Sequence, residues 1–392
     1  MKKKIAILGS TGSIGKNTFD IIKKNKNTFE VVLLTANKNY KKLIKQALEF
    51  NVKNILIYDT KYFDILKKKI KSKKIKVFSK KTKIKDILKK KIDYSMCAIS
   101  GLDGLKPTLE AIEVSKNVGI ANKESIICGW NLIKKKLDKY KTNFIPIDSE
   151  HFSIWNLTNK FSNKDIDEIA ITASGGPFLN WSKKKIKTIT PRMAIKHPNW
   201  KMGKKISVDS SNLMNKVFEI IEAYRMFDFD LNKYKIIIHP QSYVHAIVKF
   251  KNGLIKMILH DTDMKIPISY SINNNKDISK INSKKIKSKL LNKLNFYDVD
   301  KNKFPSVKLL KLISPHNTLF DTVLVSANDE LVDLFLNKKI HFMKIYLIIK
   351  KILNLKEFSK YKYLYPKNVD QIYKLDKYVR LKTKSFCINY LK

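Results

Sequence analysis

The sequence contains very little arginine. Of its 392 residues 80 are basic and 34 acidic, giving a formal net charge of +46, yet only Arg192, Arg225 and Arg380 are arginines. Arginine makes the bidentate contacts to phosphates and base edges that a nucleic-acid reader needs, so its scarcity argues against that function. The lysines are scattered through every segment, as in a solvated surface coat. The alternative, a lysine-rich nucleic-acid-binding protein, predicts DNA affinity that falls steeply with salt.

Cysteine and long apolar runs are also scarce. The three cysteines are widely spaced, which predicts neither a disulfide framework nor a zinc site and fits a reducing compartment. No apolar run reaches the length of a membrane span, and the one that follows Met1-Lys2-Lys3-Lys4 is too short for a signal peptide. We therefore expect a soluble, cytoplasmic protein with neither a nucleic-acid nor a membrane partner. The chain length predicts two or three domains.

The first strongly patterned stretch is the apolar run Lys4–Leu8, followed by GSTGSIG and then by a helical pattern. A strand, a glycine-rich turn and a helix in this order are typical of a dinucleotide-binding domain, although the spacing here is GxxGxxG rather than GxGxxG. The glycines let the backbone approach a pyrophosphate, and the helix N-terminus favours its negative charge. The candidate cofactor contacts in this turn are Gly9, Ser10, Thr11, Gly12, Ser13 and Ile14.

The turn after the second predicted strand indicates which dinucleotide is bound. It contains four candidate cofactor contacts, Ala36, Asn37, Lys38 and Asn39. An NAD site normally carries a carboxylate here for the ribose hydroxyls. This turn has none, and its lysine and amides suit a 2′-phosphate, so NADP is favoured over NAD. The alternative is that Lys38 is one more surface lysine.

Strand-like runs alternate with helical patterns as far as residue 147, which is typical of a doubly wound parallel sheet. Loops at the carboxyl ends of such strands line the ligand crevice. Asn122, Lys123 and Glu124 follow one of these strands and are candidates to lie near the nicotinamide. A plain helix start explains them almost as well.

The last apolar run of this half ends in Asp148-Ser149-Glu150. Alternate residues of an extended chain point the same way, so the two carboxylates are expected to aim at one point, which is costly without a cation. Oxygen ligands without cysteine suit a hard or borderline ion such as magnesium or manganese. The alternative is a solvated acidic turn that caps the helix that follows.

Two later segments contain candidate anion ligands. Ser174 and two glycines end another apolar strand, where small residues and backbone N–H groups form an anion cradle. The irregular segment with His197, Trp200 and Gly203 has the composition of a lid over a small ligand. As an alternative, Trp200 fills a gap in the core.

A further group of polar residues lies on one predicted helix that begins near Ser210. Asn215, Lys216, Glu219 and Glu222 share a face at three- and four-residue spacing. An amide, an ammonium and a carboxylate on one face can be phosphate ligands together with a third metal carboxylate. An ordinary solvent-facing salt bridge is the alternative.

These patterns predict an α/β fold class with four segments. A Rossmann-like doubly wound parallel sheet is expected over residues 1–147 and a central α+β catalytic domain over 148–275. An Asn- and Lys-rich linker is expected over 276–302, and a C-terminal α-helical bundle over 303–392.

Seven blocks follow one another along the chain: GSTGSIG, ANKES, PIDSEH, SGGPF, HPNWKMGKKISVDS, NKVFE and IIIHPQS. Together they resemble the 1-deoxy-D-xylulose 5-phosphate reductoisomerase family over essentially the whole sequence. The resemblance implies conversion of 1-deoxy-D-xylulose 5-phosphate to 2-C-methyl-D-erythritol 4-phosphate, the committed step of non-mevalonate isopentenyl diphosphate biosynthesis. It further implies NADPH, a divalent cation (magnesium, manganese or cobalt), a phosphorylated sugar substrate and a homodimer, with residues 148–275 as the dimerisation domain.

The resemblance also implies roles for individual residues. Asp148, Glu150 and Glu219 are similar to the metal ligands and, with Lys123, form the implied catalytic group. The implied substrate contacts include three of these, Glu150, Glu219 and Lys123, together with Ser149, Ser174, His197, Trp200, Ser210, Asn215 and Lys216. Asn122, Glu124 and Gly203 join the implied cofactor contacts, and Glu222 resembles a second carboxylate beside the metal.

Two positions depart from the family pattern. Asn37 stands where a glycine is usual, and we expect the turn to survive because asparagine tolerates positive φ best among the other residues. His260 also stands where a glycine is more usual, which bears on the packing behind the active site.

The rival enzyme interpretation is an NADP-dependent reductase of the homoserine or amino-acid-semialdehyde type, which predicts reduction without a divalent metal.

Overall fold

The computed structural model describes residues 1–70, 74–200, 202–273 and 288–390. The chain forms two compact units. The first comprises Met1–Ser125, Leu132–Phe152 and Asp263–Asn282, and the second comprises Ile126–Asn131, Ser153–Thr262 and Ser283–Lys392. The predicted α/β fold class is confirmed, and the domain boundaries at 147, 275 and 302 stay predictions.

The first unit contains a seven-stranded parallel sheet with the strand order β4-β3-β2-β1-β5-β6-β7. The chain starts in the middle of the sheet, winds to one edge and returns to build the other half, as the doubly wound prediction requires. The order therefore reverses between β1 and β5, where such folds bind ligands. The strands are β1 Lys3–Leu8, β2 Phe29–Ala36, β3 Asn54–Ile57, β4 Lys76–Ser79, β5 Ile92–Cys97, β6 Ser115–Ile120 and β7 Asn143–Pro146.

The second unit contains a five-stranded sheet with the order β11-β10-β8-β9-β12. Only β8 and β9 pair in parallel, and the remaining neighbours are antiparallel. One face of this sheet packs on apolar residues of a long helix, among them Ile220 and Ala223. The strands are β8 Ile166–Ala173, β9 Tyr234–Ile238, β10 Val244–Phe250, β11 Ile255–Leu259 and β12 Tyr297–Asp298.

Seventeen α-helices lie within the described residues, most of them amphipathic segments between the strands or after them. In chain order they are α1 Ser13–Lys24, α2 Tyr40–Glu49, α3 Thr60–Lys69, α4 Ile84–Ile87, α5 Leu105–Glu113, α6 Lys123–Tyr140, α7 Ser149–Thr158, α8 Lys183–Ile186, α9 Pro191–Ala194, α10 Lys204–Ser211, α11 Met214–Phe227, α12 Lys265–Ile272, α13 Ser288–Leu291, α14 Leu319–Leu336, α15 Lys344–Leu353, α16 Lys356–Ser359 and α17 Val369–Tyr390. No helix in these described parts of the chain is both long and apolar enough to cross a membrane.

The C-terminal segment is helical, as predicted. Helix α14 packs against both α15 and α17, and its residues from Leu319 to Ala327 are buried. The segment that precedes α14, Pro305–Leu312, is a 3-10 helix rather than the expected α-helix. Of the predicted linker, residues 276–287 lie outside the described residues, and the remainder contains α13 and the short edge strand β12.

Candidate active site

The glycine-rich turn after β1 is built on two backbone constraints. Gly9 has φ +80°, and a Cβ at this position would lie 2.6 Å from the carbonyl oxygen of Ala98, at the end of the neighbouring strand. A Cβ on Gly15 would lie 2.5 Å from the Gly9 carbonyl oxygen. Helix α1 then begins at Ser13, and Gly12 before it provides no capping side chain. The turn thus requires glycine at both positions and presents backbone rather than side chains to a ligand.

Two residues that the sequence did not indicate hold this turn. Thr35 accepts a hydrogen bond from the Gly9 N–H at 3.0 Å, and Gln46 accepts one from the Ser10 hydroxyl at 2.8 Å and donates to the Ser10 carbonyl at 3.0 Å. Ser10 is fully buried, so its hydroxyl supports the turn from inside. Pairings across 26 and 36 residues leave no periodic signal in the sequence, which is why motif spacing missed them.

The turn after β2 forms without a left-handed residue. Asn37 is not among the described non-glycine residues with positive φ. Asparagine in place of the family's usual glycine therefore needs no left-handed backbone here. The Asn37 carbonyl accepts a hydrogen bond from the N–H of Asp59 at 3.2 Å. Asn39 caps α2, since its side chain accepts from the Lys42 N–H. Ala36 and Lys38 complete the turn at the carboxyl end of the sheet.

The turn after β6 connects two loops at the sheet edge. Asn122 is buried, accepts from the Ser125 N–H at 2.8 Å as the cap of α6, and donates to the carbonyls of Ile99 and Gly101. The helix-start interpretation of Asn122 is therefore correct as local geometry. Glu124 lies in the first turn of α6 and is 9% exposed.

Lys123 and Asp148 meet because they follow the adjacent strands β6 and β7. Ile120 pairs with Pro146 at the end of the ladder, and beyond it Lys123 Nζ lies 2.5 Å from Asp148 Oδ2. A carboxylate oxygen of Asp148 also lies within 4.8 Å of one on Glu150. The first unit therefore presents two carboxylates and one ammonium at the carboxyl edge of its sheet.

The acidic stretch is helical rather than extended, so the expected strand-end geometry is wrong. Helix α7 begins at Ser149, and Asp148 Oδ1 accepts from the Glu150 N–H at 3.2 Å. The carboxylates lie close together because one precedes the helix and the other lies in its first turn. Ser149 donates to Glu150 Oε2 at 2.5 Å, and buried His151 places Nδ1 3.7 Å from Asp148 Oδ1. Asp148 thus caps the helix and still presents Oδ2 to Lys123.

In the second unit the turn after β8 surrounds the Ser174 hydroxyl. His197 Nε2 lies 3.0 Å from Ser174 Oγ, and the Gly176 N–H donates to the same oxygen at 3.0 Å. Gly175 and Gly176 both have positive φ, and a Cβ on Gly176 would come within 3.1 Å of the Ser210 carbonyl oxygen. The glycines therefore let this turn pack closely against the end of α10.

Hydrogen bonds assign the neutral tautomer of His197. Its Nδ1 accepts from the backbone N–H groups of Asn199 and Trp200 at 3.1 and 3.0 Å, so the ring proton is on Nε2 and is donated to Ser174. Ser174 Oγ thus accepts two hydrogen bonds and is left to donate its own proton to a further acceptor, such as a phosphate oxygen. Burial, and then the charge of Lys216, lowers the pKa of His197 to about 4, which keeps the ring neutral.

Helix α11 carries the most buried charges of the candidate site. Lys216 Nζ lies 2.6 Å from Glu219 Oε2, and Asn215 Nδ2 donates to Glu219 Oε1. Glu219 and Glu222 are each 1% exposed, so the alternative of a solvent-facing salt bridge is wrong. Leu213, with φ +61°, turns the chain from α10 into α11 and so sets the helix direction.

The remaining predicted residues, Gly203, Ser210 and Trp200, belong to the same unit. Gly203 precedes α10, and its carbonyl accepts from the N–H and the hydroxyl of Ser207. Ser210 is half-buried near the end of α10, so the expected helix start near Ser210 is wrong, because the left-handed Leu213 separates α10 from α11. Trp200 is half-buried and meets the ring of His245 edge-on, with centroids 6.1 Å apart.

Three family profiles match consecutive parts of the chain. Residues 5–129 match 1-deoxy-D-xylulose 5-phosphate reductoisomerase, residues 144–227 its C-terminal domain and residues 259–382 the DXP reductoisomerase C-terminal domain. The reductoisomerase of Pelagibacter ubique is 54% identical over 388 residues, 98% of this chain and 100% of that protein. The chain belongs to the 1-deoxy-D-xylulose 5-phosphate reductoisomerase family. The resemblance found in the sequence is thereby confirmed.

Further reductoisomerases match over nearly their whole length. That of Wolbachia pipientis from Culex pipiens is 39% identical, covering 92% of this chain and 91% of that protein. A solved DOX-P reductoisomerase in complex with NADPH, fosmidomycin and magnesium superimposes with a TM-score of 0.92 at 30% identity, covering 100% of this chain and 99% of that one. The Zymomonas mobilis reductoisomerase in complex with NADPH gives 0.88 at 31% identity, with 99% of both chains covered.

Proposed function

We propose that this reductoisomerase catalyses the NADPH- and divalent-metal-dependent isomerisation and reduction of 1-deoxy-D-xylulose 5-phosphate to 2-C-methyl-D-erythritol 4-phosphate. The observation that carries the proposal is the 54% identity to a reductoisomerase across 98% of the chain. Solved relatives in complex with NADPH and magnesium support the two cofactors. The rival semialdehyde or homoserine-type reductase gives no reason for a buried Lys216–Glu219 pair close to His197 in the Ser174 turn.

Asp148, Glu150 and Glu219 are proposed to hold the divalent cation, with Glu222 nearby. The donor set consists of carboxylate oxygens without sulfur, which fits magnesium, manganese or cobalt better than structural zinc. When bound, the cation supplies Lewis-acid polarisation of the substrate carbonyl. In the first unit, the ammonium of Lys123 offsets the negative charge of the Asp148 carboxylate. In the second, the ammonium of Lys216 offsets the charge of the Glu219 carboxylate, and Asn215 donates a hydrogen bond to its other oxygen.

The substrate phosphate is proposed to bind where polar donors converge in the second unit. Ser174 has a proton to donate, Lys216 provides a buried positive charge, and neutral His197 orients Ser174. The further contacts proposed for the substrate are Ser149, Ser210, Asn215 and Trp200. Binding energy from the phosphate, which does not react, can be used to orient the reacting carbons and to exclude water.

The NADPH pyrophosphate is proposed to lie on the backbone of the glycine turn, whose residues run from Gly9 to Ile14. The constraints on Gly9 and Gly15 keep side chains away from that surface. Ala36, Asn37, Lys38 and Asn39 are the proposed contacts to the adenosine end. Asn122, Lys123, Glu124 and Gly203 are the proposed contacts at the nicotinamide end. A nicotinamide held by these residues would supply the hydride for the reduction.

A homodimer in the cytoplasm is the proposed working form. Edge strand β11 exposes apolar residues that a single copy leaves in water, with Ile255 55% and Met257 42% exposed and Leu254 beside them. A second copy that covers this edge would bury them and satisfy the edge backbone. The double variant Ile255→Asp/Met257→Asp should be monomeric in light scattering, and an unchanged oligomeric state would contradict the proposed surface. Three unpaired, buried cysteines are compatible with a reducing compartment.

The decisive test is NADPH oxidation by the purified chain with 1-deoxy-D-xylulose 5-phosphate. Activity with manganese or magnesium, lost on chelation and restored by the cation, supports the proposal. Reduction that continues after chelation would favour the rival reductase. The absence of NADPH oxidation under all of these conditions would overturn the assignment. A parallel titration with DNA tests the nucleic-acid alternative through its salt dependence.

A further inference from the structure

His260 belongs to a stack of three rings in the second unit. Its imidazole lies face to face with that of His245, with ring centroids 3.7 Å apart and planes inclined by 18°. His245 in turn meets the indole of Trp200 edge-on, with centroids 6.1 Å apart and planes inclined by 70°. The three side chains therefore form a continuous contact that ends at Trp200.

A bulge in β10 aims the middle ring of this stack. Val244 pairs with Leu259 and Ala246 with Ile258, so His245 is the extra residue on its strand. Such a bulge re-aims a side chain that regular pairing would direct elsewhere. The His260 N–H donates to the Tyr243 carbonyl at 3.0 Å and closes the ladder beyond the bulge.

Hydrogen bonds fix the orientation of both imidazoles. His245 Nε2 lies 3.2 Å from the His260 carbonyl oxygen, and His260 Nδ1 lies 2.8 Å from the Asp261 carbonyl oxygen. A carbonyl oxygen only accepts, so each of these nitrogens carries a proton and donates it. His245 is 2% exposed, and its ring is held between the two others.

The backbone around Trp200 is anchored separately from its indole. The Trp200 N–H donates to His197, and Asn199 Nδ2 donates to the Pro240 carbonyl at 2.7 Å and to Ser242 Oγ at 2.8 Å. These bonds hold the chain at Asn199 and at the Trp200 N–H but leave the rotamer of the indole to side-chain contacts. We propose that His260 is a positioning residue that sets the orientation of the Trp200 indole through His245. The inference rests on the proposed function, in which Trp200 contacts the substrate.

The test compares His260→Leu with His260→Phe, which keep a similar volume but differ in whether a planar ring remains. His260→Leu should raise KM for 1-deoxy-D-xylulose 5-phosphate about two- to tenfold, as expected for the loss of one ring–ring contact. The kcat value and the Kd for NADPH should change by less than about twofold, since neither depends on the indole in this proposal. His260→Phe should restore KM to within about twofold of the wild-type value.

Fluorescence gives a readout that does not need turnover. The emission of Trp200, obtained by subtracting the spectrum of Trp200→Phe, should shift in His260→Leu and remain in place in His260→Phe. Unchanged KM and emission in His260→Leu, or equal impairment of both variants, would overturn the inference. Lack of turnover in the wild-type protein would instead refute the proposed function, and the emission comparison would still test the ring stack.

Discussion

The two units hold the charged residues of the candidate site in different ways. In the first, Lys123 and Asp148 leave 13% and 24% of their side chains exposed and follow the ends of neighbouring strands. In the second, Lys216 and Glu219 lie within α11 and leave 9% and 2% exposed. A pair in contact with water changes partners at little cost, whereas a buried pair that loses one member leaves a charge without compensation.

This difference in burial indicates that the two units respond differently to a ligand. The first unit presents groups that can release one another to bind a cation or a reacting substrate. The second presents a group whose geometry is set before any ligand arrives, because Asn215 and Lys216 both bond to Glu219 on one helix. Preorganised donors stabilise charge without reorganising at the moment of reaction. Substitutions in the second unit should therefore have the larger effects.

The largest effect is expected for Glu219→Gln. Losing one carboxylate ligand from the proposed metal site should lower kcat about a thousandfold, because Lewis-acid stabilisation is worth several kcal/mol. The Kd for NADPH should remain within about twofold, since the glycine turn belongs to the other unit. Steady-state kinetics and NADPH fluorescence titration measure the two quantities. Turnover similar to the wild type would remove Glu219 from the site.

Lys216→Ala and Lys123→Ala test whether the buried ion pair of the second unit contributes more than the more exposed pair of the first. Lys216→Ala should lower kcat/KM about a hundredfold and the free energy of unfolding by about 3 kcal/mol, because the buried Glu219 carboxylate loses its ion-pair partner Lys216. Lys123→Ala should cost less than about 1 kcal/mol of stability, since its partner is partly solvated. Urea denaturation in the presence of a chelator measures the stability of both variants, and steady-state kinetics measure kcat/KM.

Lys249→Ala is the matched control for these lysine substitutions. Lys249 pairs with Asp167 at 2.7 Å, but their side chains are 49% and 45% exposed. The variant should match the wild type in both kinetics and stability. Equal stability losses in Lys216→Ala and Lys123→Ala would contradict the contrast between the units.

Gly9→Ala should raise the Kd for NADPH about tenfold and destabilise the first unit by about 1–3 kcal/mol. Both the positive φ and the contact of 2.6 Å with the Ala98 carbonyl oxygen oppose a side chain there. Gly253→Ala is the control, because Gly253 has φ +88° in open space. It should lose about 1 kcal/mol of stability and leave NADPH binding unchanged. If both variants bind NADPH normally, the glycine turn is not the pyrophosphate site.

The smallest effect is expected from the titration of His197. Its pKa falls from an ordinary 6.5 to about 4 on folding, so the unfolded chain binds the proton more tightly. The resulting stabilisation is complete above pH 6.5 and is lost as the pH falls towards about 4. Wild-type protein should lose more stability than His197→Asn between pH 7 and pH 4.5, measured by urea denaturation. Parallel profiles for the two proteins would contradict the neutral histidine beside Ser174.

The sequence predicted the first unit well because its signals are local. A strand, a glycine turn and a helix each have their own pattern, and the parallel order then brings Lys123 and Asp148 to adjacent strand ends. The favoured interpretation kept Asp148 and Glu150 on an extended chain, because the preceding Ile-Pro-Ile run fits a strand, whereas the alternative of a helix cap matches the start of α7 at Ser149. Capping and metal binding by Asp148 were treated as alternatives, although two oxygens allow one carboxylate to do both.

In the second unit the sequence predicted the shared helical face but not its burial. Whether Glu219 faces solvent or the interior depends on packing partners far along the chain, which residue spacing does not encode. The same limit applies to the support of Ser10 by Gln46 and to the stack of His245 on His260. The bulge at His245 breaks the alternation of its strand, so its direction could not be inferred from periodicity.

The proposed metal site consists of Asp148, Glu150 and Glu219 and should hold one divalent cation. Calorimetric titration of manganese into the wild type, Asp148→Asn and Glu219→Gln tests this site without turnover. We expect one site in the wild type and a Kd raised at least about tenfold by each substitution, with the fold and the affinity for NADPH retained. Wild-type manganese affinity in Glu219→Gln would contradict it.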